Sequence, residues 1–349
     1  MNDIAIGIIG FGRIGAEHAR WISAARGLRV AAVSDATPAR EQLAASAGFR
    51  TYADVEGLLA DRAIDAVLVS TPTAMHFQYG MLALESAKHL MIEKPMALDL
   101  DESSRLVVEA RSRGRVLSVF HNRRWDIDYL TVKQAIASGT FGKLINVESR
   151  LGQFASCVGP AAREYRPAWR NEAPFGGGGL YDWGSHFIDQ LWRLLWPAKA
   201  VRVYAQLRGN VWTSDCDDFA RVLIDFDNGV VGLCEINTTT TRALPRWQLD
   251  GSEGSASARP SAEFNTSHWA ELQFTPAKEN LPSTILPCAA AGLTEIQIWE
   301  QFAAAVRDQG PPAVTPESVL PTMALLDAAR HSSRHQEAWD IQGMVNWIY

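Results

Sequence analysis

Two side chains capable of acid–base work stand four residues apart in the stretch GGGGLYDWGSHFID, residues 176–189: Asp182 and His186. On a helix that spacing puts both on one face. A histidine titrates near neutrality and can take or give a proton there. Oxidation of an alcohol removes a hydride from carbon and a proton from oxygen, and the proton needs such an acceptor. Asp189 continues the stripe, either to brace the histidine or to pair on the surface. The plainer assignment is an acid favoured by a helix N-terminus, followed by a neutral core histidine. The four glycines read either as a linker or as a close approach of backbone to a ligand.

A second pattern supplies a ligand. In GIIGFGRIG (7–15), Gly10, Gly12 and Gly15 form G-x-G-x-x-G directly after an apolar run. The first glycine permits a tight turn, the second lets a pyrophosphate approach the backbone, and the third lets a helix pack on the strand. Phe11, Arg13 and Ile14 fall at the helix N-terminus, whose free N–H groups favour phosphate. Asp35 ends the next apolar run, where an acid meets the adenine ribose; its other reading is a helix cap before Pro38. An acid there repels a 2′-phosphate and Ala36 follows it, so NAD is favoured over NADP. Arg13 and Arg40 keep NADP open. Two more stretches sit at strand ends, where open α/β sheets bind ligands. STPTAMH (70–76) offers Ser70, Thr71 and Pro72 as a loop against the cofactor, and His76 either near the nicotinamide-side ribose or on the surface. In EKPMAL (93–98), Lys94 after Glu93 points into a cleft between domains or into solvent.

These residues need a scaffold. Apolar, β-branched runs at 4–9, 28–34, 64–70, 89–93 and 115–120 alternate with helical spacings at 15–26, 38–47, 54–60, 76–87 and 101–113. Runs that are apolar throughout predict a parallel sheet covered on both faces. Beyond Phe120 strand-like stretches dominate, at 144–151, 200–208, 218–226, 230–240, 246–250 and 270–275, with DNG at 227–229 as a hairpin turn. Helices are predicted at 181–195, 293–310 and 315–334, and 251–263 reads as a loop or a short edge hairpin. The fold class is α/β: an N-terminal Rossmann domain over 1–120, then an α+β domain over 121–349 with a large, mostly antiparallel sheet.

Composition bounds the function. The chain has 349 residues, 47% hydrophobic and 21% charged, with net charge −6. That fits two globular domains and offers no basic stripe for nucleic acid. No apolar run reaches membrane-spanning length, and the first strand starts at Ile4, so the expectation is a cytoplasmic protein with no membrane partner. Cys157, Cys216, Cys234 and Cys288 are far apart and predict buried or partly buried free thiols, with no metal site. The 12 tryptophans suit core filling and oligomer contacts.

Taken in order and at their intervals, GFGRIG, STPTAMH, EKPMAL and GGGGLYDWGSHFID resemble the glucose-fructose oxidoreductase/inositol dehydrogenase (Gfo/Idh/MocA) family over nearly the whole chain. HNRRWDIDYLTVKQAI (121–136) looks most like the subgroup that includes scyllo-inositol dehydrogenases. The resemblance implies a Rossmann domain followed by a domain with a large open sheet, through which relatives form dimers or tetramers. It implies that Lys94 binds the reacting hydroxyl and cofactor, often beside a cis Lys94–Pro95 bond, that Asp182 orients substrate, and that His186 is the acid/base. Which of Lys94 and His186 accepts the proton stays open. Asn122, Arg123 and Arg124 would lie at the domain junction, and Trp169–Arg170 resembles a pair that reaches the cofactor. The implied cofactor set includes Glu93 and Asn122, and the implied substrate set is Lys94, Arg124, Tyr165, Asp182 and His186. The NADP-using inositol dehydrogenases of the family tend to lack an acid at the position of Asp35, so their cofactor choice does not carry over. The expected activity is NAD(P)-dependent oxidation of a secondary or anomeric alcohol of a cyclic polyol or sugar. The alternatives are a retained NAD used transiently for epimerisation or glycoside cleavage, and a non-catalytic sugar- or nucleotide-binding regulator.

Overall fold

The apolar runs of the first third become a six-stranded sheet. A computed structural model describes residues 2–157, 169–261 and 265–342. The strands are β1 (Ile4–Ile9), β2 (Leu28–Ser34), β3 (Arg50–Tyr52), β4 (Ala66–Val69), β5 (His89–Ile92) and β6 (Leu117–Val119). They pair in parallel in the order β3-β2-β1-β4-β5-β6. β1, β4 and β6 are buried along their whole length, because helices cover both faces. Those helices are α1 (Arg13–Ala24), α2 (Pro38–Ser46), α3 (Val55–Ala60), α4 (His76–Glu85) and α5 (Leu100–Ser112). Strand order reverses between β1 and β4, which opens a crevice at their carboxyl ends. β3 is the strand the sequence did not announce: three residues, none buried, at the sheet edge.

The second sheet has nine strands and is covered on one face. After α6 (Ile127–Ala137) come β7 (Leu144–Gly152), α7 (Ser185–Leu195), β8 (Ala200–Arg208), β9 (Phe219–Phe226), β10 (Val231–Asn237) and β11 (Trp247–Gly251). Then follow β12 (Gly254–Ala258), α8 (Thr266–Trp269), β13 (Leu272–Pro276), β14 (Thr284–Ile285), α9 (Glu295–Val306), α10 (Leu320–His335) and β15 (Trp339–Asp340). The order is β14-β13-β12-β11-β7-β10-β9-β8-β15, with β7 and β10 parallel and the other neighbours antiparallel. α7 and α10 pack on one face. On the other, Tyr204 and Leu223 sit opposite each other and exposed, with Leu233 next in the same row. The stretch expected as a loop or edge hairpin holds β12, an interior strand between β11 and β13. Its GSASA sequence is too small-residued to signal a strand. Yet the space above it is full: a Cβ on Gly254 would stand 2.4 Å from the Thr275 carbonyl.

The chain does not stay in the second domain. α9 starts with a capping box, Thr294 and Gln297, and lays Ile298, Trp299, Phe302 and Ala303 into the core built by Ile4, Ile6, Ile8 and Ile22. The cysteines are free, and Cys288 is exposed rather than buried. Among the described residues no helix is long and apolar enough to cross a membrane.

Candidate functional site

A cleft of about 910 Å³ runs from the β1–α1 turn to α7. At the first end the backbone does the shaping. Gly10 has φ +90°, and a Cβ there would stand 2.8 Å from the Ser70 carbonyl. A Cβ on Gly15 would stand 2.2 Å from the Gly10 carbonyl, so the helix can approach only as glycine. Gly12 differs: the nearest atom to its missing Cβ is Arg40 Nη1 at 3.7 Å. The space beside Gly12 is open, and no side chain caps the N-terminus of α1. An open turn at an uncapped helix N-terminus has the room and the free N–H groups that a phosphate needs. Asp35 Oδ2 accepts from Phe11 N–H at 2.6 Å and Oδ1 from Thr37 N–H at 2.8 Å, which ties the glycine turn to the end of β2. Arg40 Nη1 donates to the Phe11 carbonyl at 3.1 Å. Asp35, Arg13, Ile14, Ser70, Thr71 and Pro72 line the cleft. These residues fit a dinucleotide.

Phe11 and His76 do not line it. Phe11 turns its ring to Phe49, while its N–H and carbonyl meet Asp35 and Arg40. His76 is buried, with Nδ1 2.8 Å from the Pro95 carbonyl and Nε2 3.0 Å from the Thr71 carbonyl. It holds the two ligand-facing loops together.

At the domain junction the Lys94–Pro95 bond is cis. Lys94 Nζ donates to the Asp182 carbonyl at 2.7 Å and stands 3.4 Å from Asp182 Oδ1. Arg170 Nε lies 3.5 Å from the same oxygen, and its guanidinium sits 4.3 Å from the Trp169 ring centre. Burial pushes the Lys94 ammonium down, Asp182 and Glu93 oppose this, and the net direction is down. Burial pushes Asp182 up, but Lys94 and Arg170 outweigh it and hold the carboxyl below its ordinary value. Behind Lys94, Glu93 Oε2 accepts from the Lys94 N–H at 3.0 Å and Oε1 meets His18 Nε2 at 2.8 Å. His18 Nδ1 accepts from Trp299 Nε1 at 3.0 Å, so Nε2 carries the ring proton. The α9 helix is thereby linked to the lysine.

α7 is preceded by a π-turn, Leu180–Gly184, that carries Asp182, and single π-turns in helices recur at functional sites. His186 lines the cleft and is buried. Burial, then the charges of Lys94 and Arg123, hold its pKa well below the ordinary value, so the ring is neutral at neutral pH. Asp189 does not brace it. Asp189 is buried in a two-point pair with Arg124, at 2.8 and 2.7 Å, and accepts from Thr322 at 2.8 Å. Arg124 is therefore spent on α7 and is not among the cleft residues. Its neighbours are: Asn122 binds Glu295 at 3.2 Å, and the Arg123 guanidinium lies 5.1 Å from the Trp183 ring centre. Tyr165 lies outside the described residues. Sequence reasoning missed Trp183 and Glu295. Trp183 lay beside Asp182 and could have been read as a cleft wall; nothing in the sequence placed Glu295, at the start of α9, beside Asn122.

The glycine run is packed against protein. Gly176 has φ +74°, and a Cβ there would stand 2.9 Å from Thr73 Cβ. A Cβ on Gly178 would stand 2.2 Å from Asp217 Oδ1. Asp217 accepts from the Leu180 N–H at 2.8 Å, and burial pushes its carboxyl up to about 7. The glycines let the backbone close on Asp217 and the Thr73 turn so that the Asp182 helix starts at the cleft.

A family model described as oxidoreductase family, NAD-binding Rossmann fold, matches residues 4–121, and the GFO/IDH/MocA C-terminal domain matches residues 129–257. Inositol 2-dehydrogenase 2 of Saccharopolyspora erythraea is 31% identical over 268 residues, 75% of each chain. The NADP(+) scyllo-inositol 2-dehydrogenase IolW of Bacillus subtilis is 30% identical over 202 residues, 58% of this chain and 54% of its own length. Against several curated relatives the chain thus spans about half of their length. The crystal structure of an NAD-binding protein from Listeria innocua matches with TM-score 0.87 and 27% identity, covering 100% of both chains.

Proposed function

The chain belongs to the Gfo/Idh/MocA oxidoreductase family, and on that premise we propose that it is an NAD-dependent dehydrogenase for a secondary or anomeric alcohol of a cyclic polyol or sugar. One observation carries this reading: Lys94 of the first domain meets Asp182 of the second, 2.7 Å from its carbonyl, in the same cleft as the open Gly12 cradle. Bound nicotinamide would supply a hydride acceptor. The chain's own residues do the rest. Gly10, Gly12 and the α1 N-terminus hold the pyrophosphate; Asp35 takes the adenine ribose and disfavours a 2′-phosphate. Asp182 fixes the substrate hydroxyls. Lys94 donates to the reacting oxygen and stabilises it as its proton leaves. His186, neutral before reaction, accepts that proton. Trp183, Trp169 and Arg170 wall the substrate in. The row of exposed Tyr204 and Leu223 with half-buried Leu233 supports assembly of two or four copies through this face; a monomer by sedimentation overturns that assembly.

The test is a polyol and sugar panel read by NADH absorbance, with NAD and NADP in parallel. NADH formation from an inositol-like or aldose alcohol supports the reading. Product without NADH release points to the transient-oxidation alternative. Turnover with NADP alone overturns the role given to Asp35.

A further inference from the structure

His121 follows β6, is 1% exposed and does not line the cleft. Its ring, at the domain junction, nevertheless meets that of His186, edge to face at 88°, with centroids 5.7 Å apart. His121 Nε2 and His186 Nδ1 are both buried and neither has a hydrogen-bond partner. A buried ring nitrogen without a partner is costly, and here two such nitrogens sit on rings that meet edge to face. One water would satisfy both.

We propose that His121 and His186 form a proton relay through such a water: His186 takes the alcohol proton on its cleft-facing Nε2 and passes the Nδ1 proton to His121 Nε2. This rests on the dehydrogenase reading above. The balance is simple. The substrate O–H bond breaks and an N–H bond forms on His186 Nε2. The His186 Nδ1–H bond breaks and an N–H bond forms on His121 Nε2. His186 ends neutral in its other tautomer, the positive charge ends on His121, and the two electrons leave with the carbon-bound hydrogen to nicotinamide.

The surroundings give the relay a direction. The charges acting most on His186 are Lys94, Arg123, His121 and Arg246, and all oppose an imidazolium. Around His121, Asp189 and Glu93 favour the charge while Arg124 and Lys94 oppose it. Burial opposes a proton on either ring, and only His121 has carboxylates that offset it.

Two measurements decide this. In the ligand-free protein, long-range ¹H–¹⁵N spectra at neutral pH should show His186 protonated on Nδ1, with its signals moved by His121→Phe. An Nε2-protonated His186, indifferent to that change, overturns the relay. In turnover, His121→Phe and His121→Asn should each lower kcat about tenfold and shift the acid limb of the kcat–pH profile, with KM for NAD unchanged. Asparagine can bind the water and cannot carry the proton, so full rescue by His121→Asn means the ring is only structural and overturns the relay. If no alcohol in the panel is oxidised, the dehydrogenase reading fails, and the spectra still decide whether the two rings are joined.

Discussion

At one end of the cleft, the site is shaped backbone: Gly10 with a φ of +90°, Gly12 with an open Cβ position, and two N–H groups tied down by the Asp35 carboxylate. At the other end, Lys94, Arg170, Asp182 and His186 act through side chains drawn from both domains. Backbone shape is dictated by residue type over a few positions. Side-chain convergence depends on how distant segments dock. The first end should therefore fail by losing its ligand, and the second by losing chemistry while the ligand stays.

The sharpest break is at Lys94. Lys94→Met should lower kcat on the order of 10³-fold while the NAD dissociation constant moves less than about tenfold. Equal losses in steady-state rate and in equilibrium NAD titration would erase the distinction between the ends. Next come two glycines. Gly12→Ala, into open space, should keep the melting temperature and weaken NAD binding on the order of 100-fold. Gly15→Ala, 2.2 Å from the Gly10 carbonyl, should lower the melting temperature as well. If both variants melt alike, Gly12 is packing and not a cradle.

Behind the second end lies a buried group that titrates. Burial holds His121 near 4, below the unfolded value of about 6.5. Unfolded chain binds more protons between those values, so the stability from a neutral His121 is present above about 6.5 and lost as pH falls toward 4. At about pH 5 the loss is on the order of 2 kcal/mol. Asp126 and Asp327, raised to about 6, and Asp217, raised to about 7, act in the opposite sense over this window. The measurement is thus the difference in urea midpoint between wild type and His121→Asn, followed from neutral pH to mild acid. A difference that does not change with pH would place no titrating histidine there. The smallest effect is at Asp35: Asp35→Ser should shift preference toward NADP about tenfold, read as the ratio of kcat/KM values.

The same contrast governs what could be read ahead of the fold. The parallel strands and the glycine turn were legible because each is a local rule: an apolar run, a required φ, a helix start. Lys94, Asp182 and His186 were placed by motif, and they do share a cleft. Arg124 was not separable from Arg123 in the pair Arg123–Arg124, since only docking decides which of them meets Asp189 and which lines the cleft. His76 has both ring nitrogens on carbonyls that lie far apart in the chain. β12 escaped because its small residues answer to space left by β13 and not to strand propensity.

α9 carries a consequence for how the protein is made. Trp299 reaches His18 across 281 residues of chain, and Phe302 lies beside it in the first domain's core. A ribosome releases the nucleotide-binding domain long before it releases this helix. Until then the seam of Ile4, Ile22 and Phe120 has no cover, and closing it is among the most distant contacts in the molecule. The first domain to be synthesised is thus sealed only near the end of the chain, and the nascent chain must carry that apolar seam, with Lys94's support incomplete, through most of translation.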